Sequence, residues 1–242
     1  MPQSDVPPSS PLLPEDWDDE LLNDPHIRYL IQRDQWRLRS QSQVMVPNSV
    51  TEEIVALTED TLGGLALGMS GVSWRQVPQG DYVCGLVISF IRTHFILLEL
   101  AIKSDLIEAA TLARKQLELL ARLHELTGEV DRAKVGKTPN VREIRSEVRR
   151  LYGQYSEVAH SSDPRHLELL GFAEGQPGGW KSLYPKYGRN TLVTIHNAVH
   201  IHLEFALWVS EYFPTYDLPI RDPKFGAMAN RIAELMPTMI VD

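Results

Sequence analysis

A single cysteine, Cys84, occurs in the chain, so no intrachain disulfide can form and the thiol content gives no sign of an oxidising compartment. Placed in an apolar run, it reads as a small buried hydrophobe. The opening MPQSDVPPSSPLLPEDWDDE has no lysine or arginine, and no basic segment leads into an apolar one there. That argues against a secretory signal and makes the cytoplasm the expected compartment. Runs that alternate apolar and polar residues are nearly missing, which counts against a sheet-rich fold, and no internal repeat of about 20 to 50 residues stands out. GGLALGMSG has the glycines of a phosphate loop but neither its lysine nor a preceding strand, and no cofactor is expected.

What the chain does have is apolar content, 43% of 242 residues, enough for one sizeable core without staples. Its formal charge of -8 opposes indiscriminate binding to nucleic acid or anionic membrane, but the charge is unevenly spread. Asp5, Glu15, Asp16, Asp18, Asp19 and Glu20 lie in the proline- and serine-rich opening. Residues 1–23 therefore read as an acidic tail with little fixed structure, able to dock on a basic protein partner. RAKVGKTPNVREIRSEVRR, residues 132–150, carries seven basic residues against Glu143 and Glu147. This stretch is either a solvated face of alternating salt pairs or a local basic surface on an acidic protein.

Asp24 before Pro25 signals a helix start, and the pattern stays helical to about residue 42. Ser49 and Glu52 stand at capping-box spacing ahead of a stripe of Ile54, Leu57, Thr61, Leu62 and Leu65. DYVCGLVISFIRTHFILLELAIK is apolar almost all round and reads as the central helix. Arg92, His94 and Glu99 interrupt it where lipid would make charges costly, so no membrane association is expected. SDLIEAATLARKQLELLARLHELTG begins with a Ser-Asp cap, ends at Gly128 and forms an antiparallel hairpin with the preceding helix. VREIRSEVRRLYGQYSEVAHSS reads as one further helix, residues 165–188 as an irregular insertion rich in glycine and proline, and DPKFGAMANRIAELM as a last short helix. The expectation is an all-α, compact multi-helix bundle of six or seven helices. It forms a single domain over residues 24–242, with the insertion before the penultimate long helix.

That long helix, in YGRNTLVTIHNAVHIHLEFALWVSEYF, carries an arginine and three histidines among apolar residues. Advancing about 100° per residue from Arg189 places His196 roughly 20° away and His200 about as far on the other side of the line. Leu203 and Leu207 continue the stripe, whereas His202 points to the opposite face. Gly188 permits a sharp turn and Asn190 is a plausible N-cap, which puts Arg189 at the helix mouth. Backbone N–H groups there favour anions, the guanidinium suits a phosphate, and a histidine two turns deeper can move a proton. The alternative is that Arg189 caps or salt-bridges while His196 packs in the core.

Arg189-Asn190, five intervening residues and His196 resemble the arginine, polar residue and histidine motif of HEPN-domain proteins. These are helical modules widespread in bacterial toxin and antiviral defence systems, in which the motif opens a long late helix of a compact bundle. LIEAATLARKQLELLARLHEL and the later YSEVAHSS are also similar to helical families found in such settings. The resemblance covers most of residues 25 to 236. It implies a metal-independent endoribonuclease assembled at a homodimer interface, a toxin or effector of stress or phage defence. By the same resemblance His196 would act as acid or base, Arg189 would clamp the phosphate and Asn190 would orient them. The alternative function is a non-catalytic helical binding or regulatory module of a defence complex.

Two further groupings stand out. Tyr152, Ser156 and His160 recur at helical spacing beyond the basic run, so Arg145, Arg149, Arg150, Tyr152 and His160 are the candidate RNA-contacting residues. His160 equally suits a helix C-terminus, where a partly positive ring complements the dipole, and no nucleophile elbow surrounds Ser156. His196, His200 and Glu204 at i, i+4, i+8 offer an alternative metal set. They lack the glutamate of HExxH and any second carboxylate-histidine helix, so no metal site is expected.

Overall fold

Asp24 opens the first helix: its Oδ1 accepts the His26 N–H at 2.7 Å and the Ile27 N–H at 3.3 Å. The computed structural model describes residues 24–127, 137–160, 164–170, 182–220 and 223–239. Among these are seven α-helices and no strand. They are α1 (Pro25–Val44), α2 (Val50–Gly68), α3 (Gly80–Ile102), α4 (Leu106–Thr127), α5 (Leu151–Ala159), α6 (Arg189–Thr215) and α7 (Phe225–Leu235). The all-α bundle expected from the sequence is therefore what the chain forms. The acidic tail, and residues 171–181 of the expected insertion, lie outside the described residues.

The α3/α4 hairpin is the centre, and α6 packs along both of its helices. On the hairpin, α5 covers α4, while α2 pairs with α7 and α1 lies against α3. Phe90 of α3 and Phe205 of α6 stack with ring centroids 3.9 Å apart, surrounded by Leu97, Leu98, Leu117, Leu120 and Ile195, all fully buried. Full burial of side chains of this size contributes about 1.5–3 kcal/mol each. By length and composition α3 could cross a bilayer, and here its Val83, Val87, Phe90, Leu97 and Leu98 form the core.

Several local expectations need correction. Ser49 Oγ accepts the Glu52 N–H at 3.1 Å, but Glu52 reaches back to the Asn48 N–H at 2.6 Å, not to Ser49. Asp105 does not cap α4 with its side chain; its carboxylate pairs with Arg37 Nε at 2.8 Å. Residues 141–150 do not join α5 in one helix. Two 3₁₀ turns, Val141–Glu143 and Glu147–Arg150, precede α5. Asn140 and Ser146 each cap a fresh start, accepting from Arg142 N–H and Val148 N–H. Between them Ile144 takes an extended backbone and drops fully into the core. Burying one isoleucine and using two local caps outweighs helical continuity.

A directional chain of hydroxyls fixes how α6 meets the hairpin. Ser40 Oγ donates to Ile102 O at 2.8 Å, and Ser40 and Ser104 hydroxyls lie 2.6 Å apart. Ser104 and Thr191 hydroxyls lie 2.7 Å apart, and Gly188 N–H donates to Thr191 Oγ1 at 3.1 Å. The carbonyl at one end only accepts and the amide at the other only donates, so every hydroxyl between has one consistent direction. A second polar group sits in the core. His94 Nδ1 meets Gln116 Oε1 at 3.3 Å, and Gln116 Nε2 donates to Phe90 O at 3.0 Å and to Thr93. His202, with its ring 5.6 Å from that of His94, finds no hydrogen-bond partner among the described residues.

Burial holds the His94 pKa down to about 4 despite its bond to Gln116, and burial with the nearby His94 pushes His202 well below the usual histidine value. Both rings are neutral in the folded chain and basic when exposed. As pH falls below 6.5, the unfolded chain takes up protons that the folded chain refuses. Stability should be full above that pH and fall as pH drops toward 4, with His94 alone costing about 3 kcal/mol at the end of the window. Urea midpoints between pH 7.5 and 5 test this before most carboxylates titrate; a flat profile would contradict neutral burial of the pair.

Candidate functional site

The mouth of α6 is built by Gly188, not by Asn190. Gly188 O accepts the Thr191 N–H at 3.0 Å while Thr191 Oγ1 accepts the Gly188 N–H, so the helix starts at Arg189. Asn190 sits within the first turn and turns its amide to Glu168 O at 3.4 Å. The N-cap expected at Asn190 is displaced by two residues because the Gly188–Thr191 pair already satisfies the terminus. Arg189 is exposed and makes no hydrogen bond or ion pair among the described residues.

Below it the angular argument holds as placement. His196, His200 and Leu203 are half-buried along the outward stripe of α6, Leu207 is 53% exposed, and His202 points into the core. The His196 and His200 rings meet edge to face at 4.5 Å. Burial lowers the His196 pKa, and burial together with the neighbouring His196 lowers that of His200. Both therefore favour the neutral imidazole at neutral pH, the form that accepts a proton. Arg189 and His196 stand seven residues apart, about 10 Å along the axis.

The basic segment does not gather at this stripe. Arg145 pairs with Glu211 at 3.2 Å, near the other end of α6 and about 33 Å along it from Arg189. Arg150 pairs with Glu147, and Arg149 is exposed. Tyr152 and His160 instead meet at Arg114 of α4. The Tyr152 hydroxyl donates to Glu118 Oε1 at 3.3 Å, and the Arg114 guanidinium lies 5.6 Å from the Tyr152 ring centroid. Arg114 Nη1 donates to His160 Nε2 at 2.8 Å. A guanidinium only donates, so His160, at the C-cap of α5, accepts through Nε2.

The alternative metal set is not assembled, because Glu204 turns away from His196 and His200. Its Oε1 lies 3.1 Å from His124 Nε2, with both side chains at least nine-tenths buried. The N–H is imperfectly aimed along that contact. Burial works to raise the Glu204 pKa, but bonds from His124, Ser146 and the Arg145 N–H outweigh it and hold the carboxylate below its usual value. Among the described residues no three histidine, cysteine, aspartate or glutamate side chains are placed to hold a metal ion. Beside this pair Arg122 Nη1 meets Glu125 Oε2 at 2.6 Å, and Glu125 Oε1 accepts the Asn140 N–H at 2.6 Å. His124 also lines a cavity of about 230 Å³.

Sequence reasoning did not single out His124 and read Glu204 only as a metal ligand. A glutamate in the otherwise apolar HLEFALWV and a histidine in the last turn of α4 were the available signals. Removing one partner leaves the other polar group buried and unpaired. Glu204→Leu should therefore lower stability by about 2–4 kcal/mol, and His124→Phe with Glu204→Leu should recover part of it. Urea unfolding of the single and double variants measures the coupling, and simple additivity would contradict a working pair. Comparison of the chain with protein-family models, with curated proteins and with solved structures gives no match.

Proposed function

We propose that the chain is a HEPN-like, metal-independent endoribonuclease that acts as a toxin or effector in bacterial stress or phage defence. The observation that carries this reading is the outward stripe of α6. An exposed guanidinium at the helix mouth stands above a half-buried, solvent-reachable imidazole whose neutral form is favoured. The neutral His196 takes the proton of an RNA 2′-hydroxyl as that oxygen attacks the adjacent phosphorus. Arg189 stabilises charge developing on the phosphoryl oxygens, aided by the N–H groups at the helix start. The bond to the 5′-oxygen breaks, and the His196 imidazolium just formed gives its proton to that leaving oxygen.

Seven residues of separation between the two groups favours a homodimer, in which a second copy of the stripe supplies the complementary group. Leu203 and Leu207 extend the stripe as the apolar part of such an interface. Arg149 and the exposed Arg145 give the RNA backbone cationic contacts on an otherwise acidic protein. One observation favours a second reading, a non-catalytic binding module: the Asn190 amide is engaged by Glu168 O and does not orient His196.

The test is RNA cleavage in EDTA. Activity should survive chelation and fall by at least a hundredfold in His196→Ala and in Arg189→Ala, while the thermal midpoint changes little. Because burial lowers the His196 pKa, kcat/KM should rise with pH and level off with a midpoint below 6.5. Full activity in both variants would reject the site. RNA left intact by the wild-type chain at micromolar concentration would favour the binding module.

A further inference from the structure

Three aromatic rings climb α6 toward its C-terminal end. Trp208 and Tyr212 stack at 4.7 Å, and Tyr212 and Tyr216 meet at 4.9 Å. Trp208 and Tyr212 are buried, whereas Tyr216 is half-buried and closes the series. All three line the cavity of about 230 Å³ beside His124. That volume lies below the range of about 300–1,000 Å³ usual for drug-sized ligands, so the space suits one small planar group.

Its polar lining has a definite order. Arg145 and Glu211 form the rim, paired at 3.2 Å with their side chains 71% and 53% exposed. An ion pair this exposed holds weakly, so an incoming phosphate displaces Glu211 from Arg145 at small cost. Deeper in, His124 has Nε2 committed to Glu204, which leaves Nδ1 as its remaining hydrogen-bonding atom. Thr127 and Thr215 also line the space; their hydroxyls donate to His124 O and Glu211 O, each at 3.0 Å, and so can only accept from a ligand. Aromatic walls, a cationic rim and hydrogen-bonding groups deeper in together match a nucleobase with its phosphate.

We propose that this cavity holds one unstacked base of a single-stranded RNA, with the adjoining phosphate on Arg145. The proposal rests on the RNA reading above and adds to it the place where the strand is gripped. Arg145 meets Glu211 of α6, and the turn Glu147–Arg150 that follows also packs against α6. The exposed Arg149 of that turn offers the held strand a further cation. From Tyr212 to His196 is about 24 Å along the helix, a span of several nucleotides.

The experiment measures binding of adenosine and uridine 5′-monophosphates, by calorimetry up to millimolar concentration, and of a fluorescent hexaribonucleotide, by anisotropy. RNA cleavage is assayed in parallel. Saturable nucleotide binding is expected, weakened about 5- to 100-fold in Tyr216→Ala, the effect of losing one base–aromatic stack. Arg145→Gln should weaken hexanucleotide binding and reduce its salt slope by about one. Melting curves of both variants check the fold. Nucleotide binding without RNA cleavage would keep the cavity and reject the nuclease. Cleavage with no monophosphate bound, and with hexanucleotide affinity unchanged in Tyr216→Ala, would overturn the cavity and leave the nuclease standing. Tetramethylammonium bound in place of nucleotide would identify a cation box and also overturn the proposal.

Discussion

The chain of hydroxyls from Ile102 O through Ser40, Ser104 and Thr191 to the Gly188 amide fixes the position of α6, and the rest of the structure depends on it. Its members come from α1, from the tight turn between α3 and α4, and from the mouth of α6. Ser40 and Ser104 are buried and Thr191 is fully so, which makes a missing link costly and the direction of each bond unambiguous. Because Thr191 is in the third position of α6, its anchorage sets both the start of the helix and its rotation about its axis. With rotation fixed, Phe205 reaches Phe90, and Arg189, His196 and His200 are left facing outward.

One helix thus presents three chemically distinct sides. The core side carries His202, held neutral by burial without a partner among the described residues. The side toward α4 and residues 140–150 carries Glu204, buried 3.1 Å from His124 Nε2 with its pKa held below the usual carboxylate value. The outward side carries His196 and His200, only half-buried and in contact with one another. Three histidines within seven residues of sequence therefore have separate roles, because angular position decides what surrounds each ring.

The region from Asn140 to Ala159 shows a competition between local and tertiary forces. Its charge pattern suits a helix, but Ile144 is more stable in the core, and Asn140 and Ser146 each supply a cap that restarts the backbone. The result divides the basic residues: Arg145 lies against the C-terminal half of α6, while Tyr152 and His160 turn to Arg114. Candidate RNA contacts that sequence places on one face are, in the folded chain, on two.

Sequence alone determined the helical class, the α3/α4 hairpin and the sidedness of α6, because all three follow from periodicity and from local stop and start signals. Asp24-Pro25, Ser49 and the 3.6-residue repeat act within a few residues of themselves, so they are legible without knowing what packs where. The outward placement of Arg189, His196 and His200 was legible for the same reason. The His124–Glu204 contact, the His94–Gln116 bond and the Arg114–His160 bond were decided only by tertiary structure. Each joins residues 22 to 80 positions apart, and no local pattern specifies which buried polar groups will meet. The true cap of α6 belongs there too: Asn190 has the right chemistry for the position, but the buried Thr191 hydroxyl, tied to Ser104, fixed the helix start at Arg189 and Gly188 as its cap.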